Sequence, residues 1–277
     1  MFRYSVCVSK GAALHEPVLF RGDYSDAFTF ARDLGVGGIE IHLRDAKTDV
    51  DRAKLLECSQ KTGIAIAGIA TGLAKRIDGL SLISDDQEVR KAAVERIKGH
   101  LELASDYGCA VIIGSMRDNI PGADKKPLCM SRLRDAMLAC ADFIEDKNCF
   151  IVFEAINRYE NNYFNTAAET MDFVDTLGSD KVKVLLDTFH MNIEESSMED
   201  AITLLGDKLG HIHFADNTRR YPGSGALNFQ RIMNALNSIH YQNWVSMEYL
   251  PIPDELSSAQ KGFSYLREAE NAVLNKT

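Results

Sequence analysis

The sequence predicts a parallel (β/α)₈ barrel, a closed ring of eight strands surrounded by helices. Short apolar runs typical of buried strands alternate along the whole chain with longer runs in which apolar residues have helical spacing. Eight such units fit in 277 residues, a length that suits one barrel of about 250 residues or two smaller domains. No linker or low-complexity segment divides the chain, so we expect a single domain spanning residues 1–277.

Eight segments are predicted as strands because each is a short apolar run bounded by polar residues or glycine. An open, doubly wound sheet would be favoured by a glycine-rich phosphate loop after the first strand. Residues 8–13 contain neither G-x-G-x-x-G nor a Walker motif, which favours the barrel. In chain order the predicted strands are Tyr4–Val8, Gly38–His42, Ile64–Ile69, Ala110–Ile113, Phe150–Glu154, Val182–Leu186, His211–Phe214 and Asn243–Met247.

Helices are predicted between the strands, and several of them stop at or near a glycine, the residue that most often ends a helix. In the second helix, residues Val50, Ala53, Leu55 and Leu56 are expected to share one apolar face. The predicted helices are Asp26–Leu34, Asp49–Thr62, Asp86–Tyr107, Ser131–Lys147, Thr166–Leu177, Leu227–Ser238 and Ser257–Leu274.

Composition narrows the class of protein. Hydrophobic residues make up 45% and charged residues 26% of the chain, as in ordinary globular proteins. A net charge of -9 argues against partners such as nucleic acid or an anionic membrane surface. No apolar stretch approaches the ~18 residues of a membrane span, and Met1–Lys10 is too polar for a secretory signal. The six cysteines form no C-x-x-C pair, so we expect buried thiols in a cytoplasmic protein.

Polar residues end the last four predicted strands, where a barrel would bring them to one face. They are Glu154, Asp187, His213 and Glu248. Any one of them alone could simply point to solvent or cap a helix, but four at the same relative position favour a shared site. A divalent cation would relieve the large cost of burying unpaired carboxylates. Carboxylates and one imidazole favour Mn²⁺, with Mg²⁺ or Co²⁺ as alternatives, and the ligands alone do not exclude zinc.

Further polar residues follow the same strands, in loops that would lie at the mouth of the barrel. Glu160, His190 and Arg219 are the candidates, although each also has a simpler interpretation as a solvated charge or a helix-start hydrogen bond. Basic residues after the earlier strands would suit a carboxylate or phosphate on a substrate, unless they are scattered surface cations. These basic residues are Arg44, Lys75, Arg76 and Arg117.

The order and spacing of these residues resemble a known family. The matching pieces are Glu154-x-x-Asn157-Arg158-x-Glu160, Asp187-x-x-His190, His213 with Asn217-Thr218-Arg219-Arg220-x-Pro222-Gly223-x-Gly225, and Glu248. Over about half of the chain, this pattern is similar to the xylose-isomerase-like barrel superfamily, and within it to the ketose 3-epimerases that act on D-tagatose or D-psicose. Residues 20–23, 41–45, 78–82 and 187–195 extend the likeness over nearly the whole chain and resemble the 5-keto-L-gluconate epimerases.

The resemblance implies roles for the candidate residues. Metal ligands would be Glu154, Asp187, His213 and Glu248. Of these, Glu154 and Glu248 would also be catalytic, and substrate would be bound by Glu160, His190 and Arg219. The implied enzyme is an isomerase: a metal-dependent epimerase that inverts the carbon next to the ketone of a keto-sugar or keto-sugar acid through an enediolate. Two carboxylates on opposite faces of the substrate would exchange the proton. Members of the family commonly form dimers or tetramers, so self-association is expected.

Other functions remain open at this stage. The enzyme could act on neutral ketoses as a D-tagatose or D-psicose 3-epimerase, and the departure of the first-half loops from that pattern argues for a sugar acid instead. An aldose–ketose isomerase would need the same metal. A DNA-repair endonuclease of similar architecture would need a His-rich zinc site and a basic face, which seven His and a net charge of -9 disfavour. A non-catalytic sugar-binding module would not need two glutamates.

Overall fold

Nine parallel strands form one sheet in the computed structural model of the protein, which describes residues 1–274. Eight of them close into a barrel through the pairing of the first strand with the last, and helices surround this ring. The ninth, Phe20–Arg21, has two residues and pairs only with the first strand. The predicted (β/α)₈ barrel is therefore confirmed, and the end of the predicted domain, residues 275–277, lies outside the described residues.

The predicted barrel strands match the observed ones to within two residues at each end. Strands of a parallel barrel are covered on both faces, so they are continuous apolar runs that are easy to recognise. The strands are β1 (Arg3–Ser9), β2 (Phe20–Arg21), β3 (Gly38–His42), β4 (Ala65–Ala70), β5 (Ala110–Ile113), β6 (Phe150–Glu154), β7 (Val182–Asp187), β8 (Leu209–Phe214) and β9 (Trp244–Met247).

Ten α-helices lie in the described residues, three more than the sequence predicts. The three additional helices, α3, α7 and α8, have seven or eight residues each, too few for helical periodicity to stand out. The helices are α1 (Tyr24–Leu34), α2 (Arg52–Thr62), α3 (Gly72–Asp78), α4 (Gln87–Ser105), α5 (Lys126–Phe143), α6 (Ala167–Thr176), α7 (Thr188–Glu194), α8 (Met198–Leu205), α9 (Phe229–Ser238) and α10 (Glu255–Leu274).

The second helix differs from its prediction. It begins only at Arg52, where Asp51 caps its amino end by accepting a hydrogen bond from the Lys54 N–H. Within α2, Leu55 alone is buried, while the side chain of Leu56 is exposed. The expected four-residue apolar face is therefore wrong, and this helix packs against α1.

The interior of the barrel has an apolar base and a polar top. The base consists of Ala70, Ala110, Ile112, Val152 and Leu185. Because strand side chains alternate between faces, residues two positions further along each strand also point inward. On β6 and β7, the residues two positions beyond Val152 and Leu185 are Glu154 and Asp187. The barrel interior is thus packed with apolar side chains at its base, and ionisable groups lie at the carboxyl ends of the strands.

Two further expectations concern cysteines and membranes. All six cysteines are thiols, five of them buried and Cys58 partly exposed. Among the described helices, none has both the length and the apolar character that a membrane crossing requires.

Candidate functional site

The structure brings together the four polar residues that the sequence singled out at the strand ends. Each offers one ligand atom, and these four atoms lie within 4.8 Å of one another. All four residues are buried. They come from consecutive strands: Glu154 ends β6, Asp187 ends β7, His213 is on β8, and Glu248 directly follows β9.

The distances within this four-residue site suit a divalent cation. His213 Nδ1 lies 3.3 Å from Glu248 Oε2 and 4.0 Å from both Glu154 Oε1 and Asp187 Oδ2. Atoms bound to one ion at about 2.1 Å lie roughly 3–4.2 Å apart. His213 Nδ1 is buried and has no hydrogen-bond partner among residues 1–274. A buried, unpaired nitrogen facing three carboxylates is a donor set that fits a metal ion.

The two glutamates of the site differ in the direction in which their surroundings shift the pKa. Burial raises the pKa of Glu154 above its usual range, and the neighbouring Glu248 raises it further. Burial also disfavours the charged form of Glu248, but His213 and Arg219 outweigh it and lower the pKa of this carboxyl. In the ion-free site, the pKa values of the two glutamates are therefore shifted in opposite directions. Such a divergence is typical of an acid and a base that work together.

Arg219 joins two of the carboxylates. Its guanidinium donates to Asp187 Oδ2 at 2.6 Å and to Glu248 Oε2, and it lies 4.8 Å over the ring of Phe189. The backbone of Arg219 is left-handed, with φ of 57°. A non-glycine residue is rarely found in this conformation, which persists only where the surroundings impose it.

The loop after β8 imposes the conformation of Arg219. The Asp216 carboxylate accepts hydrogen bonds from the backbone N–H groups of Gly223 and Gly225, each at 2.9 Å. A Cβ on Gly225 would collide with the Asp216 carboxylate, so this position requires glycine. Asp216 O also accepts the Arg219 N–H at 2.8 Å. The glycine-rich part of the predicted motif therefore folds the loop that holds Arg219 against the site.

His190 lies beside Glu154 with a defined tautomer. Its Nδ1 accepts a hydrogen bond from Asn157 Nδ2 at 2.6 Å, so the ring proton is on Nε2, which faces Glu154 Oε1 at 3.8 Å. Burial, and then the charge of Arg219, lower the pKa of His190 well below its usual value, which keeps the ring neutral. The helix-start interpretation of His190 is wrong, because Asp187 caps α7 by accepting the Phe189 N–H at 2.8 Å.

Glu160 lies nearer the surface than His190. Its Oε1 accepts a second hydrogen bond from Asn157 Nδ2 at 3.0 Å, and its side chain is 57% exposed. Asn119 and Asn162 join this loop to the loop after β5 through backbone contacts, including Asn119 Nδ2 to Glu160 O at 3.3 Å. Glu160 is therefore held at the rim of the site rather than inside it.

The four basic residues expected at the barrel mouth have partners in the protein. Arg44 pairs with Asp78, Lys75 with Asp118, and Arg76 with Glu16. Arg117 is fully buried. Its guanidinium lies 5.2 Å from the ring of Phe153 and 5.3 Å from that of Tyr163, and it donates to Phe164 O. The four residues therefore do not form a cluster of unpaired cations at the barrel mouth that could bind an anion.

Sequence reasoning missed a second group of buried polar residues in the barrel. Glu40, in the middle of β3, is fully buried and lies against His211, His213 and His42. The available signal was a lone carboxylate inside an otherwise apolar strand. His42 Nε2 also lies 3.9 Å from Glu248 Oε1, which places His42 beside the four-residue site.

Comparison with known proteins places these features in a family. A family model described as xylose isomerase-like TIM barrel matches residues 28–269. D-psicose 3-epimerase of Enterocloster bolteae is 48% identical over 236 residues, 82% of this chain and 76% of that protein. D-psicose 3-epimerase of Agrobacterium fabrum is 35% identical over 222 residues, 78% and 75% of the two chains. The crystal structure of D-psicose 3-epimerase with D-tagatose from Clostridium cellulolyticum H10 superposes with a TM-score of 0.80 at 25% identity, covering 97% and 99%.

The predicted resemblance to this superfamily and to the ketose 3-epimerases is confirmed by these matches. The relatives are named as epimerases, and epimerases are isomerases. The family model covers most of the chain, including all four residues of the site. The chain belongs to the xylose isomerase-like TIM barrel family, and it is an isomerase.

Proposed function

We propose that this protein is a divalent-metal-dependent epimerase that inverts the carbon next to the ketone of a keto-sugar or keto-sugar acid, of the 5-keto-L-gluconate or D-tagaturonate type. The observation that carries the proposal is the four-residue site, in which two buried glutamates converge with an aspartate and a histidine. The names of the relatives support an epimerase.

The proposed ligands of the ion are Glu154, Asp187, His213 and Glu248, with Mn²⁺ as the first choice and Mg²⁺ or Co²⁺ as alternatives. When bound, the ion would polarise the ketone and stabilise the negative charge left by proton removal, typically by several kcal/mol. The unpaired Nδ1 of His213 and the three converging carboxylates support this assignment.

The proposed proton exchange uses the two glutamates in turn. One glutamate takes the proton from one face of the substrate, and the other returns a proton to the opposite face. In the reverse direction the roles exchange. Each positioned acid–base group typically contributes 10²–10⁴-fold to the rate. The two side chains enter the site from β6 and from the end of β9, which are separated by β7 and β8 in the ring.

Three neighbours would bind the substrate. His190 Nε2–H and the Arg219 guanidinium are donors directed into the site, so they suit the oxygens that gain negative charge. Glu160, at the rim, suits a hydroxyl further along the sugar. The amide group of Asn157 donates hydrogen bonds to both His190 and Glu160, which fixes the two side chains relative to each other.

A neutral ketose such as D-tagatose or D-psicose is the second candidate substrate. The specific observation in its favour is that the rim cations Arg44, Lys75 and Arg76 are already paired with carboxylates. A substrate carboxylate would have to compete with those partners. An aldose–ketose isomerase remains a third candidate, since it would use the same residues on a different carbon.

Substrate comparison in deuterated water tests these candidates. The Mn²⁺-loaded protein is incubated with D-tagatose, D-psicose, D-tagaturonate and 5-keto-L-gluconate, and products are followed by NMR. We expect inversion and deuterium incorporation at the carbon next to the ketone, and higher kcat/KM for the sugar acids would support the first candidate. Preference for the neutral ketoses would decide for the second candidate. Deuterium at C1 of a ketose would identify an isomerase, and no turnover of any substrate would refute the proposal.

Gly114→Ala is expected to lower kcat by about 10²-fold without unfolding the protein, since misplacing a reacting group by about 1 Å costs this much. Gly114 follows β5, and a Cβ there would collide with Glu154 Oε2. The carboxylate would have to move away from the proposed ion. The measurement is kcat together with the thermal unfolding midpoint.

Gly99→Ala is the matched control. Gly99 lies inside α4, where a Cβ would meet Lys47 Cε at an ordinary 3.6 Å. Alanine stabilises a helix interior by up to about 1 kcal/mol relative to glycine, so stability should rise and kcat should not change. Full activity in Gly114→Ala would show that the position of Glu154 does not limit the reaction.

We also propose that the protein acts on a small molecule in the cytoplasm, without nucleic acid or membrane partners, and that it forms a dimer or tetramer. The net charge of -9 supports the first part, because anionic partners would be repelled. The oligomer is supported only by the family resemblance. Light scattering of the purified protein would decide between monomer, dimer and tetramer.

A further inference from the structure

A buried hydrogen-bonded network lies on the side of the His213 ring opposite the proposed ion. Its centre is the fully buried carboxylate of Glu40 on β3. Glu40 Oε2 lies 2.7 Å from His211 Nε2 and 3.2 Å from His213 Nε2. Its other oxygen lies 3.2 Å from His42 Nε2 and 3.4 Å from Cys7 Sγ. Donors from several strands thus converge on one carboxylate.

The network extends from His211 to two serines, one on β9 and one on β1. His211 Nε2 also lies 3.0 Å from Ser246 Oγ on β9, and this hydroxyl lies 2.6 Å from Ser5 Oγ on β1. Both serines are fully buried. The Glu40 carboxylate has partners on β1, β3 and β8, so it cannot shift without breaking several buried hydrogen bonds, and its position in the barrel is fixed.

The two nitrogens of His213 therefore have different surroundings. Nε2 faces Glu40, while Nδ1 faces Glu154, Asp187 and Glu248 and has no hydrogen-bond partner among residues 1–274. An ionised carboxylate accepts hydrogen bonds and cannot donate them, so Glu40 can accept the ring proton on Nε2 when an ion occupies the Nδ1 side. The lone pair is then left on Nδ1, where an ion can use it.

We propose that Glu40 is a positioning residue that holds His213 in the Nε2–H tautomer and thereby presents the Nδ1 lone pair to the metal ion. This inference rests on the proposed metal centre, which it deepens. Outer partners of a metal-bound histidine usually affect metal affinity 10–100-fold. Glu40 itself does not contact the substrate or the ion in this assignment.

A different role for the same cluster gives a clear contrast. Cys7, Glu40, His42 and Glu248 also offer ligand atoms within 4.8 Å of one another. If they bound a second ion, Glu40 would be a ligand rather than a positioning residue. Metal stoichiometry separates the two roles: we expect one ion per chain, and two ions per chain, with the second lost in Glu40→Gln, would overturn the proposal.

The direct test is histidine NMR on the metal-loaded protein. With ¹⁵N-labelled histidine and diamagnetic Zn²⁺ as the probe, we expect His213 to carry its proton on Nε2 and the ion on Nδ1. Zinc bound through Nε2, with the proton on Nδ1, would overturn the proposal without any substitution. This measurement on the unsubstituted chain keeps the proposal falsifiable should the variants fold poorly.

The second test is the Mn²⁺ affinity of variants, measured by calorimetry. Glu40→Gln keeps the shape of the side chain but also supplies donors, and we expect Mn²⁺ to bind 10–100-fold more weakly. Glu40→Asp, which retains the carboxylate, should recover part of the affinity. Unchanged affinity and an unchanged His213 tautomer in Glu40→Gln would overturn the proposal.

Two controls address general damage to the barrel. Cys7→Ala removes a neighbour of Glu40 without touching His213. Glu270→Gln alters another buried carboxylate, on α10, which pairs with Arg267 at 2.9 Å. Both should keep Mn²⁺ affinity within about threefold even if stability falls.

Failure of the metal centre itself has its own signature. If the unsubstituted protein binds no Mn²⁺, or if Asp187→Asn does not weaken binding, the proposed function fails. If Mn²⁺ binds through the four-residue site and Glu40→Gln changes nothing, only the role of Glu40 fails.

Discussion

Replacing Glu154 or Glu248 by glutamine is expected to lower kcat about 10²–10⁴-fold while the fold is retained. Glutamine preserves the size of the side chain and an oxygen ligand, but it cannot accept and return a proton at the substrate carbon. Both residues are buried and lie within reach of one proposed ion, so the loss should appear in kcat rather than in substrate affinity. Metal content must be measured beside the kinetics, because both residues are also proposed ligands.

Isotope exchange makes this prediction sharper. Each variant retains one of the two acid–base groups, so it should still exchange the proton of one epimer with solvent without inverting the carbon. In deuterated water, Glu154→Gln should incorporate deuterium into one epimer and Glu248→Gln into the other, and NMR would follow both reactions. Glu57→Gln, at an exposed pair with Lys61, is the matched control and should behave as the unsubstituted protein. Near-normal turnover in a metal-containing Glu154 or Glu248 variant would defeat the assignment.

Removing divalent ions is expected to abolish turnover, and adding Mn²⁺ should restore it. Without the ion, the charge of three buried carboxyl groups is opposed mainly by Arg219 and His213. The ion should also stabilise the fold. At a concentration 100 times its Kd, a ligand that binds only the folded state contributes about 2.7 kcal/mol. The thermal midpoint of the chelator-treated protein should therefore rise as Mn²⁺ is added.

Substitution of a proposed ligand provides the control for metal removal. Asp187→Asn removes one negative charge but keeps an oxygen and the capping position of α7. It should require more Mn²⁺ than the unsubstituted protein to reach half-maximal turnover. Full turnover in protein shown by elemental analysis to contain no divalent ion would contradict the metal proposal.

The barrel could be predicted from the sequence because its signals are local. Each strand of the ring is a short apolar run with a clear end, so the predicted strand bounds differ little from the observed ones. Helix α2 shows where local signals mislead. Its spacing of Val50, Ala53, Leu55 and Leu56 predicts an apolar face, yet only Leu55 within the helix is buried. How far a helix turns towards the barrel depends on its neighbours in space, which the spacing alone does not report.

The four-residue site could also be predicted, because barrel topology brings the ends of neighbouring strands to one face. Glu40 could not be found by that rule. It lies in the middle of a strand, and its contact with His211 joins residues 171 positions apart in the chain, which meet only when the ring closes. The prediction that Arg117 lies at the barrel mouth failed for another reason. The sequence places it after β5, but does not reveal that its side chain packs against Phe153 and Tyr163 instead of entering the mouth.

The distribution of the site along the chain has a consequence for protein engineering. All four proposed ligands and the three proposed substrate contacts lie between residues 154 and 248, on β6 to β9 and the segments that follow them. The loops after β1, β3, β4 and β5 face the same opening but supply none of these groups. These earlier loops could therefore be exchanged to change which sugar is bound while the groups proposed for the reaction are kept. Exchange of these loops alone, with Glu40 and Gly114 retained, is a rational starting point for redesigning substrate range.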